Sequence, residues 1–182
     1  VLTEQEVFHM LKPEMQKAFN DQINEELFSS YLYASMVSYF EQQNLKGMAA
    51  WMRVQVQEEL LHATKLFGYV LERDGAVELK AIAAPTAAWD SPLDAWKAAF
   101  AHEQHITACI SDLHSKAVEL KDPASTIFLE WFVTEQVEEE SNARDIVAQM
   151  EMVQGAPGGL FMLDRELGSR PAPAAGGNAA AT

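Results

Sequence analysis

Four glutamates stand where a helical pattern calls for apolar residues. Read in alternating steps of four and three, the chain contains four stripes that are mostly apolar. The first is Phe19, Ile23, Glu26, Ser30, Tyr33, Val37 and Phe40. The second is Met48, Met52, Gln55, Glu59, His62, Leu66 and Tyr69. The third is Trp96, Phe100, Glu103, Thr107 and Ile110, and the fourth Phe132, Gln136, Glu139, Ala143, Ile146 and Met150. Each stripe carries one glutamate some way in from its ends. A lone buried carboxylate loses its hydration or takes up a proton, and a single glutamate on a helix is ordinarily solvated. Glu26, Glu59, Glu103 and Glu139 together, one per stripe, ask for a shared cation. Their four negative charges would be cancelled by two divalent ions. Glu59-Leu60-Leu61-His62 adds an imidazole three residues from its acid, on the same helix face. Carboxylate oxygens with one imidazole suit Fe(II), Mn(II) or Zn(II). Di-metal bundles commonly take one Glu from each of two helices and Glu-x-x-His from the other two. The fourth stripe departs from that pattern, offering Gln136-x-x-Glu139.

Positioning these groups takes four long helices. The first is expected from Pro13 to about Gln43, and Asn44-Leu45-Lys46-Gly47 forms a turn. The second runs to Arg73 or Asp74, with Gly75 as its stop. Ser91-Pro92, with Asp94 three residues after the serine, opens a third that ends near Leu120. Asp122-Pro123 opens a fourth that closes at Gly155. Gly158-Gly159 precedes a short fifth helix ending before Gly168. The short first and third connections demand antiparallel hairpins. The second, Ala76 to Asp90, contains Pro85 and no helical pattern. Its roughly 15 residues can span about 50 Å when extended. A helix of about 28 residues is only about 42 Å long. The second and third helices can therefore lie parallel, joined by one long crossover, packed down by Trp89 and Ile82. The chain reads as one all-α domain over 1–168 with a flexible Ala/Pro/Gly-rich tail over 169–182.

Composition narrows the partners. The formal net charge of −14 repels nucleic acids and anionic membranes and attracts cations. No stretch reaches the apolar length of a membrane span. The single cysteine, Cys109, precludes an intrachain disulfide and fits a reducing cytoplasm as a buried or half-buried helix thiol.

Beyond pattern, the chain resembles the non-haem bacterial ferritins from Met10 to about Leu167. The stretches that carry the likeness are Met10-Leu11-Lys12-Pro13-Glu14-Met15, Glu26-Leu27-Phe28-Ser29-Ser30, Gln57-Glu58-Glu59 with His62, His102-Glu103-Gln104, and Trp131 to Gln136 followed by Glu138-Glu139-Glu140. The resemblance implies a ferritin-like four-helix bundle and a ferroxidase that oxidises Fe(II) with O2 or H2O2. It implies assembly into a 24-subunit shell that stores ferric mineral, with the short fifth helix at the four-fold axis. It implies a first iron position at Glu26, Glu59 and His62, and a second at Glu59, Glu103 and Glu139, bridged by Glu59. Gln136 would stand beside this di-iron centre, and Tyr33 would donate a hydrogen bond or an electron to it. Glu58, Glu135 and Glu138 would form a third iron site with Glu139; by pattern alone Glu135 and Glu138 to Glu140 read equally well as a solvated acidic face. Glu140 reads as surface. The all-oxygen second position would bind iron exchangeably, and hard carboxylates favour Fe(III).

Other features have plainer readings. Met48 and Met52 are expected in the core, and Trp51, Trp96 and Trp131 as packing residues. No haem is expected, because Leu60 follows Glu59 where the haem-binding bacterioferritins have methionine. His102 and His105 lie off the stripe of their helix, which suggests surface or interface rather than ligation. Two alternatives compete with the storage oxidase. A rubrerythrin-like oxidase or peroxidase would usually carry two Glu-x-x-His motifs and often a cysteine-rich domain. A purely structural shell subunit would lack the ligands that this chain retains.

Overall fold

The computed structural model describes residues 10–171, and these form five helices with no strand. They are α1 Pro13–Gln42, α2 Lys46–Glu72, α3 Pro92–Glu119, α4 Pro123–Met152 and α5 Pro157–Leu167. Proline stands in the first turn of α1, α3, α4 and α5, where its missing N–H would have no intrahelical partner. Ser91 caps α3 by accepting from the Asp94 N–H, and Asp122 caps α4 by accepting from that of Ser125.

Three helices stop by the same device. After α1, Asn44 takes φ 59° and the Leu45 N–H bonds back to the Phe40 carbonyl at 3.0 Å. After α2, Asp74 takes φ 55° and Gly75 bonds back to Val70 at 2.9 Å. After α3, Lys121 takes φ 53° and Asp122 bonds back to Ala117 at 2.9 Å. These are Schellman closures built on non-glycine residues. The left-handed residue after α2 is thus Asp74, not Gly75. Gly75 matters for a different reason: a Cβ there would stand 2.9 Å from the Val70 carbonyl oxygen. The fifth helix also begins earlier than the sequence suggests. Gly158 and Gly159 lie inside it, with Pro157 at its start.

The crossover over residues 73–91 travels the length of α1. The Ala76 N–H donates to Gln16, Asn20 bonds the backbone of Ala76 and Glu78, and Lys80 pairs with Asp21. Further on, the Ser35 hydroxyl donates to the Thr86 carbonyl at 2.6 Å, and Trp89 meets Tyr39 edge-on at 5.2 Å. The partners on α1 advance in step with the crossover, so it runs from one end of the bundle to the other. Consequently α2 and α3 lie parallel inside two antiparallel hairpins. Of the two expected anchors, Trp89 packs against the core, while Ile82 is exposed.

The apolar core is divided. One cluster gathers Phe40, Met48, Trp51, Met52, Trp96 and Met150 with Leu163 and Leu167 of α5. The other gathers Met15, Phe19, Leu66, Tyr69, Ile110 and Phe132. The buried acids occupy the layer between them. Sealing on both sides by close-packed side chains keeps bulk water out of that layer.

Candidate metal centre

Burial decides the chemistry of this layer. Glu26, Glu59, Glu103 and Glu139 are exposed by only 1, 3, 3 and 6 %. All four acids expected in the core are there, each delivered by a different long helix. Carboxyl and imidazole donors of Glu26, Glu59 and His62 all lie within 4.8 Å of one another. The His62 Nδ1 stands 3.4 Å from Glu59 and 3.9 Å from Glu26. The His62 ring is held edge-on between Trp131 at 5.4 Å and Phe132 at 5.8 Å. Glu103 and Glu139 enter the same space less tightly: no such three-donor group includes either among the described residues.

Amides and a phenol orient the acids. Gln22 donates to Glu26 at 2.9 Å. Gln55, fully buried, donates to both Glu59 at 3.1 Å and Glu139 at 2.8 Å. Gln136 donates to Glu103 at 3.3 Å, and the Tyr33 hydroxyl donates to the other oxygen of that carboxyl. Gln136 and Tyr33 thus both bond the Glu103 carboxyl, one at each oxygen. Gln22 and Gln55 carry no motif; only their positions one helical turn before Glu26 and Glu59 could have drawn attention to them.

The electrostatics describe a site short of positive charge. Burial, followed by the nearby Glu59 carboxylate, holds Glu26 well above the usual carboxylate range. Burial with Glu103 and Glu139 does the same to Glu59. Burial raises Glu103 as well, and burial with Glu103 pushes Glu139 up to about 7. The Tyr33 phenol is raised by burial and by Glu103. Glu26 Oε2 is buried with no hydrogen-bond partner. An orphaned acceptor beside a donor set of this kind is what a cation would satisfy.

The three outer acids are arranged differently. Glu58 is half-buried and hydrogen-bonds the guanidinium of Arg170 at 2.6 Å. Glu135 is half-buried and Glu138 exposed, and no three-donor group joins them to Glu58. Glu140 is half-buried rather than fully at the surface. Arg170 lies in the segment expected to be a flexible tail, yet it is docked. It also donates to Gln55 at 2.7 Å and covers the Trp51 ring at 4.2 Å. Charge-assisted hydrogen bonds and ring stacking outweigh the low-complexity composition there. The rest of that tail, 172–182, lies outside the described residues.

Comparison with known proteins identifies the family. The family profile described as Ferritin-like domain matches residues 16–153. The chain belongs to the ferritin family. It is 38% identical over 161 residues to a bacterial non-heme ferritin of Bacteroides fragilis, covering 88% of this chain and 100% of that one. It is 34% identical over 158 residues to a bacterial non-heme ferritin of Escherichia coli O157:H7, covering 87% and 96%. Among solved structures it is similar to an open pore ferritin from Archaeoglobus fulgidus, with TM-score 0.88 and 46% identity, covering 88% of this chain and 99% of that one. Within this ferritin fold His102 takes an ordinary packing place. His102 packs against Phe28 and Tyr33 with Ser29 at 2.7 Å, and burial holds its pKa down at about 4. Met48 and Met52 are fully buried, as are Trp96 and most of Trp51, whereas Trp131 is 38 % exposed and carries Lys65 over its ring.

Proposed function

We propose that this ferritin-family chain is the oxidising subunit of an iron-storage shell. It takes up Fe(II), oxidises it in the bundle core with O2 or H2O2 as acceptor, and passes ferric iron to a mineral inside a 24-subunit assembly. In this reading Glu26, Glu59 and His62 hold one iron and Glu59, Glu103 and Glu139 the other, with Glu59 common to both. Gln136 and Gln55 fix carboxylate orientation, and Tyr33 holds Glu103 while lying close enough to supply an electron. Glu58, Glu135 and Glu138 form an outer station, with Glu139 shared, that leads away from the centre. The short α5, packed on the start of α2, would line the four-fold axis.

One observation carries the proposal: donors from two helices converge within 4.8 Å in a sealed layer, and one carboxylate oxygen there lacks a partner. Their raised pKa values make the acids hold protons more readily when no cation is bound, and a cation binding there would displace those protons. Each Fe(II) gives up one electron, and the acceptor takes them in pairs with protons. Carboxylate oxygens stabilise Fe(III) over Fe(II), while the scarcity of nitrogen ligands keeps the product exchangeable.

The test is an aerobic Fe(II) titration of the metal-free protein, following ferric absorbance and the soluble iron retained per chain. Rapid oxidation with uptake far beyond a few ions per chain is the expected result. Saturation at a few ions would mean a di-iron oxidase without storage. Slow oxidation with retained mineral would mean a structural shell subunit.

A further inference from the structure

A second cluster of donors sits on the outer side of the bundle, and the iron reading makes no use of it. Glu25 of α1 faces His105 and Cys109 of α3, and their donor atoms all lie within 4.8 Å of one another. His105 Nε2 is 3.0 Å from Glu25 Oε2 and 3.6 Å from the Cys109 sulfur. We propose that Glu25, His105 and Cys109 form a binding site for a borderline divalent cation of the Zn(II) class, separate from the carboxylate centre.

The distances support it. Tetrahedral bonds of about 2.3 Å to sulfur and 2.0 Å to nitrogen set those two donors roughly 3.5 Å apart. Carboxylate and imidazole donors would stand roughly 3.4 Å apart in such a site. The two separations on His105 need adjustments of a few tenths of an ångström, and Glu25 and Cys109 start no more than 4.8 Å apart, in side chains free to close on an ion: those of His105 and Glu25 are 54 and 36 % exposed. Exposure also leaves a fourth position for water. The spacing is built in by sequence, since His105 and Cys109 are one helical turn apart on the same face. Glu25 and Glu26 are adjacent, and the helical rotation sends one outward and the other into the core.

Donor chemistry separates the two sites. A sulfur ligand favours Zn(II) or Co(II) over Mg(II) and Ca(II), whereas the core offers oxygens and a single imidazole. A solvated Glu–His pair by itself contributes little to stability, so the pair has no evident structural task. Nor do the surroundings favour a free thiolate at Cys109: burial and nearby Glu25 raise its pKa.

The chain has one cysteine, which makes the test specific. The assembled, metal-free protein with reduced thiol is titrated with Co(II) alone. A thiolate-to-cobalt charge-transfer band in the near ultraviolet is expected, saturating at about one ion per chain and bleached by added Zn(II). Glu59→Ala should keep the band, because the site does not depend on the core. Cys109→Ser should abolish it, and His105→Ala should weaken Co(II) binding there by about 10-fold or more. Co(II) binding without a thiolate band would overturn the proposal. So would an unchanged band in His105→Ala.

Discussion

Glu59 is the residue on which the carboxylate centre turns. It lies within reach of His62, shares the Gln55 amide with Glu139, and faces Glu26 and Glu103. Glu59→Ala is expected to bring initial Fe(II) oxidation down to the uncatalysed rate while assembly is retained; stopped-flow absorbance and gel filtration read the two. Unchanged initial rates would remove the assignment. Gln55→Leu should cost about 10- to 100-fold in cation affinity, because its two carboxylates lose the donor that orients them. Proton linkage gives a third expectation. Glu26, Glu59, Glu103 and Glu139 all have raised pKa values, with Glu139 moved from 4.5 to about 7. An acid raised on folding binds more protons folded than unfolded. Its contribution is full below the unfolded value and fades as pH climbs through the folded one. The metal-free protein should therefore lose thermal stability from about pH 5 to 8, and a divalent cation should restore more of it at the upper end. Asp122, lowered by Arg73 despite partial burial, works in the opposite sense only at acid pH. Thermal melts across that range, with and without cation, check the sign; a flat or rising melting temperature without cation would contradict it.

Among the elements, α5 is the one whose attachment looks most delicate. The start of α2 presses so closely on its C-terminal end that a Cβ on Gly47 would fall 1.6 Å from the Asp164 carbonyl oxygen. Asp164 repays that approach with a side-chain oxygen that accepts from the Met48 N–H at 2.9 Å, satisfying a free donor of the α2 N-terminus. Gly47→Ala should displace α5 and cost about 1–3 kcal/mol, read in melting temperature and in the fraction of fully assembled protein. Just beyond α5, Arg170 places a guanidinium on Glu58 and Gln55. A fixed positive charge there competes with any cation drawn to the outer acids. Arg170→Ala is expected to increase the number of divalent ions held per chain or tighten the weakest class, as calorimetric titration would show. Identical isotherms would mean that the arginine does not compete.

For the whole molecule the net charge of −14 is the governing quantity. A chain so acidic draws cations toward itself and raises their encounter rate. Screening weakens that pull once the Debye length shrinks to about 8 Å near physiological salt. Initial Fe(II) uptake should therefore slow as inert salt is added, and more so at low Fe(II). No helix among the described residues is long and apolar enough to cross a membrane.

Much of this was legible in residue order because helices impose a fixed period. Four glutamates on apolar stripes, with proline at the starts of three of the helices, located the four long helices and the buried acids. Connection lengths implied the long crossover, since an extended chain covers more distance per residue than a helix. What sequence could not decide was contact between distant segments. The left-handed residue at Asp74 instead of Gly75, the start of α5 at Pro157 and the exposed Ile82 follow from backbone closure and packing, which composition does not encode. The amide of Gln55 gained its task only when α2 and α4 brought Glu59 and Glu139 to either side of it. Arg170 left a tail-like segment because Trp51 and Glu58, more than a hundred residues earlier, offered a ring and a charge. Likewise Glu25 met His105 and Cys109 because α1 packs beside α3. Periodicity is a local property of the chain, whereas a cluster of donors belongs to the distances that only the folded bundle sets.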